Sequence, residues 1–196
     1  MRLYSNLKVF LLLLVLLTGF TFSKEPGEVA DDFTLLSTDN KNYTLSEELN
    51  AGKTVVVMFW SIQCPFVQPY HDRAKELYNN YSSKGFSFWV VNANSTESFE
   101  DVGAHAKNNE YPFPVLKDKD NKIADMLGAQ RTPEVFVISK DKVILYHGRI
   151  DDNRDISLVT VNDLKNALDE LSNGKEVSVK ITKFFGCTIK RAGQDN

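Results

Sequence analysis

Cys64 is followed at once by Pro65 and preceded by an uncharged apolar run, Val55 to Trp60. The run is too short for a helix and rich in β-branched and aromatic residues, which predicts a strand buried on both faces. Beyond Cys64, the residues Val67, Tyr70, Ala74, Leu77, Tyr78 and Tyr81 recur at three- and four-residue steps, one face of a helix of about five turns. Pro65 suits a first helical position, because it needs no amide hydrogen and has φ set in advance. The spacing therefore predicts Cys64 at the C-terminal end of a central strand and the N-terminus of a helix. Unpaired amides and the helix dipole stabilise a thiolate there, lowering its pKa from about 8.5 toward about 3.5 to 7.5. A thiolate so placed attacks disulfides or peroxides. The plainer reading is a buried structural thiol, since free cysteine is among the most buried residue types; the strand, cysteine, proline, helix order favours the reactive one.

The other elements must present that strand and helix. Asp32 to Leu36 and Tyr43 to Leu45 flank the turn residues Asp39-Asn40 and read as an N-terminal hairpin, followed by a short helical turn at Ser46 to Leu49 with Ser46 as its cap. After a stop at Lys84-Gly85, Phe86 to Val91 is a second strand with both faces apolar. Strand, helix, strand in that order requires a right-handed crossover and a parallel pair. Ser95 to Asn109, Asn121 to Gly128 and Val161 to Leu171 carry helical spacing. Glu134 to Ser139 and Val143 to Gly148 form a second hairpin. The class is α/β, a central mixed sheet with helices on both faces, an N-terminal hairpin and a C-terminal extension over 174–196.

The chain opens with Arg2 and Lys8, an apolar stretch from Val9 to Phe22, and the small residues Thr21 and Ser23. That is the layout of a signal peptide over 1–23, cut near Ser23. The apolar stretch falls short of the roughly 20 residues that span a bilayer. The expected product, 24–196, is an exported single domain, periplasmic or secreted, with no membrane span of its own. It keeps 21 Lys and Arg against 26 Asp and Glu, a balance that excludes nucleic acid and anionic membranes as expected partners. His71, His105 and His147 match no metal-ligand spacing, so no metal or cofactor is expected and each histidine reads as a surface or boundary residue. Asp151-Asp152 reads as a solvated turn.

FWSIQCPFVQPYHDR, RTPEVFVI, GRIDD and the closing GCTIK together resemble the thioredoxin superfamily in its redoxin branch, and more narrowly the peroxiredoxin-like proteins related to alkyl hydroperoxide reductases and thiol-specific antioxidants. The resemblance runs from about Pro26 to Lys190. It implies a thioredoxin-like fold and a redox thiol at Cys64. It also implies a cis bond at Thr132-Pro133 facing Cys64, with free backbone groups that bind an extended thiol substrate beside Thr132, Pro133 and Pro65.

The matches and departures set the expected activity. Ser61 stands where peroxiredoxins carry threonine or serine, Pro65 where they carry proline, and Arg131 is the nearest candidate for their thiolate-holding arginine, two residues out of register. Val67 stands in place of the second cysteine of a thioredoxin CxxC. In the alternative register Ser61 replaces the first cysteine. Either way the adjacent dithiol is missing.

The leading expectation is an exported antioxidant oxidoreductase, with a hydroperoxide substrate, an external thiol reductant and an unassigned oligomeric state. The alternatives are thiol-disulfide exchange on a client, or a binding module without catalysis. Cys187 is the one remaining cysteine. By resemblance it resolves an oxidised Cys64 within or between subunits; otherwise it is buried under the tail, too far away to pair.

Overall fold

A hairpin leads the chain in the computed structural model, which describes residues 23–193. Strands β1 (Thr34–Ser37) and β2 (Asn42–Thr44) pair antiparallel across Asp39 and Asn40, with Asn40 in the left-handed region at φ 63°. The expected leader lies outside the described residues except for Ser23. Helix α1 (Leu45–Asn50) follows directly. It already includes Ser46, which is therefore not its cap; the Ser46 amide and hydroxyl both donate to the Asp32 carboxylate, at 2.8 and 2.6 Å.

Strand β3 (Thr54–Trp60), helix α2 (His71–Tyr81) and strand β4 (Phe86–Asn92) form the expected unit, with β3 and β4 parallel. Next come α3 (Phe99–Asn108), β5 (Val115–Lys117) and α4 (Lys122–Leu127). They are followed by β6 (Arg131–Thr132), β7 (Glu134–Ile138), β8 (Ile144–Gly148), α5 (Asp163–Ser172) and β9 (Cys187–Thr188). Seven strands make one mixed sheet in the order β2-β1-β5-β4-β3-β7-β8, and β6 pairs separately with β9.

Alternate residues of a strand face opposite sides of the sheet. Val56, Met58 and Trp60 accordingly pack with Ala74 and Leu77 of α2 and with Leu164 and Leu168 of α5. Val55, Val57 and Phe59 pack with Leu45 and Leu49 of α1 and with Ala124 and Leu127 of α4. Each large apolar side chain so buried contributes about 1.5 to 3 kcal/mol. The centre of the sheet is thus a rigid base for the loop that leaves β3. No helix among the described residues is long and apolar enough to cross a membrane.

Three helices begin later than their apolar spacing predicts, each for a local reason. Pro69 lies four residues past Pro65 and has no amide to continue an α-helix. The chain from Cys64 instead makes two tight turns, Val67 N to Cys64 O at 3.0 Å and Tyr70 N to Val67 O at 2.8 Å, so α2 starts at His71 and Cys64 is not at its N-terminus. Helix α3 starts at Phe99 because the Ser98 hydroxyl takes the Asp101 amide at 3.0 Å, an N-cap that leaves Ser95 to Glu97 as loop. Helix α5 starts at Asp163, since Thr160 N donates to the Asp152 carboxylate and Asp152 N to Val161 O, leaving Val161 exposed rather than inward.

Asp151 departs from its expected place in a solvated turn. It is buried and takes both short contacts of Arg73 Nη1, at 2.8 and 2.6 Å, while the same guanidinium donates to the carbonyls of Asn153 and Arg154. Burial pushes the Asp151 carboxyl above its ordinary value, and Arg73 opposes that rise. A pair of this kind adds little net stability against apolar substitutes, but it fixes the 151–154 loop to α2.

Candidate functional site

Between Trp60 and Cys64 the chain turns through Ser61, Ile62 and Gln63, and one carboxylate holds that loop. Glu97, 1% exposed in the loop ahead of α3, accepts from Ser61 Oγ at 2.5 Å and from the amides of Ile62 and Gln63 at 3.1 Å each. The side-chain amides of Asn92 and Asn94 donate to it as well. Burial pushes the Glu97 carboxyl up, but the bonds from Ser61, Asn92, Asn94 and the Ile62 amide outweigh it and hold the group below its ordinary value. Lys117 completes the network through Asn92 Oδ1 at 2.7 Å and Asn94 O at 2.6 Å.

Glu97→Gln keeps the shape while placing an amide against a ring of donors, so it is expected to cost about 2 to 3 kcal/mol in urea unfolding at neutral pH. The sign of the pH dependence follows from the lowered folded pKa. The stabilisation is present above the unfolded value of 4.5 and is lost as pH falls through the folded one. The two proteins should therefore converge in stability on acidification.

Cys64 is 2% exposed and is bonded to Cys187, with α-carbons 6.0 Å apart, inside the span a disulfide allows. Its Sγ lies 3.4 Å from the carbonyl oxygen of Thr132, and the Thr132-Pro133 bond is cis. Thr132 and Pro133 are buried, whereas Pro65, on the other side of Cys64, is exposed. The tail reaches this place in two stages. His147 N donates to Lys180 O at 2.9 Å and Thr182 N to His147 O at 3.1 Å, which lays the tail along the edge of β8. It then crosses to β6, where Thr132 pairs with Cys187 and Arg131 with Thr188. Beyond it, Ile189 N donates to Gln130 O and Lys190 N to Asn94 Oδ1.

Two of the expected site residues have other partners. The Ser61 hydroxyl is engaged with Glu97 and Asn94. Arg131 is exposed and its Nη1 donates to Gly186 O at 2.9 Å, on the tail rather than on Cys64. Glu134 and His147, given no role by the sequence, set the turn that carries Thr132. Glu134 is fully buried, accepts the amides of Gln130 and Arg131 at 2.8 Å each, and meets His147 Nε2 at 2.9 Å. His147 is buried, not a boundary residue, and stacks on Phe136 at 4.2 Å between ring centroids. His71 and His105 contact each other at 5.3 Å, and burial lowers the pKa of both.

A bridge between a cysteine on the loop that leaves the central strand and one on a strand added to the cis-proline turn is a reversible two-electron couple in kind. The comparisons agree with that chemistry. The Redoxin family model matches residues 25–168. The thiol-disulfide oxidoreductase ResA of Bacillus cereus is 30% identical over 126 residues, covering 63% of this chain and 70% of that one. A hypothetical protein of Sinorhizobium meliloti superposes with a TM-score of 0.80 at 31% identity, over 88% of this chain and 98% of its own. The thioredoxin domain of a thiol-disulfide oxidoreductase of Bacteroides vulgatus gives a TM-score of 0.56 at 20% identity, over 64% and 89% of the two chains. The fold is thioredoxin-like.

Proposed function

The chain belongs to the redoxin family and is a thiol oxidoreductase, and on that premise we propose that it works by thiol-disulfide exchange, with Cys64 as the attacking thiol and Cys187 as its resolving partner. The observation that carries the reading is the bridge itself, formed between Cys64 beside the cis-proline turn and a cysteine on the strand paired to that turn. In the reduced protein the Cys64 thiolate attacks a client disulfide, forming a mixed disulfide and releasing one client thiolate. Cys187 then attacks Cys64 Sγ and releases the second. A dithiol reductant returns the protein to its starting state.

Peroxide reduction, which Ser61 and Pro65 suggest on sequence grounds, has less support. Its candidate arginine is turned toward the tail, and Ser61 is committed to the loop network. The leader-like residues 1–23 and a long-range bridge, typical of oxidising compartments, support an exported location.

Stopped-flow comparison of the reduced protein tests the choice of chemistry. Loss of thiols with a peptide disulfide is expected to outpace loss with equimolar hydrogen peroxide. A faster reaction with peroxide, leaving sulfenic acid on Cys64, would return the protein to the peroxidase class.

A further inference from the structure

Gly186, the residue ahead of Cys187, has no room for a side chain. Its φ is 154°, and a Cβ placed there would overlap the Thr132 carbonyl oxygen and stand 2.7 Å from the carbonyl carbon. Apolar contacts seat the tail on either side of this glycine-cysteine pair. The Phe185 ring lies 6.4 Å from that of Phe66, the Phe184 ring 5.1 Å from that of His147, and Ile189 is buried in the core on the α4 side. The backbone between them is paired to β6. The tail thus displays an extended peptide in which aromatic residues, a glycine, the bonded cysteine and an aliphatic residue each have a defined seat.

We propose that residues 184–189 are a tethered stand-in for the client. The cleft then accepts an extended client segment in which glycine immediately precedes the attacked cysteine and a branched aliphatic residue stands two positions after it. This rests on the exchange reading above and adds to it the class of substrate. Tail and client exclude one another, because the backbone groups of β6 that hold Cys187 and Thr188 cannot pair with a second strand on the same side.

The cycle balances with two electrons. Cys64 thiolate attacks the client sulfur next to the glycine; the Cys64 to client bond forms, the client disulfide breaks, and its other cysteine leaves as a thiolate and takes a proton. Return of the tail to β6 brings the Cys187 thiolate to Cys64 Sγ. The bond between them forms as the client cysteine is expelled, the second reduced thiol. The protein dithiol is oxidised and the client disulfide reduced.

The test uses the reduced full-length Cys187→Ser protein and the peptide Lys-Phe-Phe-Gly-Cys-Thr-Ile-Lys, its cysteine carrying thionitrobenzoate as a coloured leaving group. A second peptide has alanine in place of the glycine. Rates are normalised to the same peptides reacting with free glutathione. The glycine peptide is expected to react at least about tenfold faster, the kinetic counterpart of an overpacked contact against Thr132 in the alanine peptide. Adding Gly186→Ala to the protein should loosen the tail from β6 and speed the glycine peptide further. Equal normalised rates for the two peptides would overturn the client rule while leaving exchange chemistry standing. Failure of Cys64 to react with either peptide or with a small aromatic disulfide would overturn the exchange reading itself.

Discussion

Cys64→Ser is expected to slow reaction with a disulfide reagent by at least about a thousandfold, because only a thiolate attacks sulfur at neutral pH and a serine hydroxyl does not ionise there. The loss should fall on the chemical step, since serine is close to cysteine in size and the walls of the site, Thr132 and the loop held by Glu97, are unchanged. Serine also removes the bridge, so the proper reference is Cys187→Ser, which loses the same bridge and keeps the nucleophile. That variant should still form a mixed disulfide in a single turnover and then stall, with the client covalently attached to Cys64. Mass spectrometry of the trapped species decides the assignment. A mixed disulfide on Cys187 in the Cys64→Ser protein, formed as fast as in the wild type, would reverse the two roles.

Reducing the bridge is expected to lower stability by about 3 to 5 kcal/mol, the entropy of closing so long a loop in the unfolded chain. The two cysteines stand 123 residues apart, so the cross-link constrains most of the unfolded domain. For a domain of this size that corresponds to a fall in Tm of roughly 10 °C. Thermal melts with and without a dithiol reductant measure it. The shift should vanish in Cys187→Ser, whose Tm should match the reduced wild type. Identical melting of the oxidised and reduced wild type would overturn this account, because the cross-link restricts the unfolded chain whether or not the tail stays docked in the folded one. Limited proteolysis offers an independent readout, with cleavage within 183–193 faster in the reduced protein.

Much of the architecture is legible in the sequence. A short, uncharged run rich in β-branched and aromatic residues predicts a strand covered on both faces, and the run Val55 to Trp60 is that. A second such run after a helical pattern must return parallel to it, as β4 does. Cys64 between them was legible as a reactive candidate because its surroundings in the chain, strand behind and proline ahead, are local. The start of α2 was misplaced at Pro65, because the apolar spacing runs straight through Pro69; periodicity reports which face is buried, not where the hydrogen-bond ladder begins.

Only the tertiary structure decided the partners of the polar and reactive groups. Glu97 reaches Ser61 across 36 residues, Arg73 reaches Asp151 across 78, and Cys64 reaches Cys187 across 123. Nothing near Glu97 in the chain separates it from a solvated glutamate, and nothing near Cys187 says which strand edge its tail will take. The physical reason is one of range. Apolar alternation is imposed within an element by the geometry of a single strand or helix, so a sequence carries it openly. A buried charge or a thiol needs a specific atom about 3 to 4 Å away, and which atom that is depends on how elements distant in the chain are stacked.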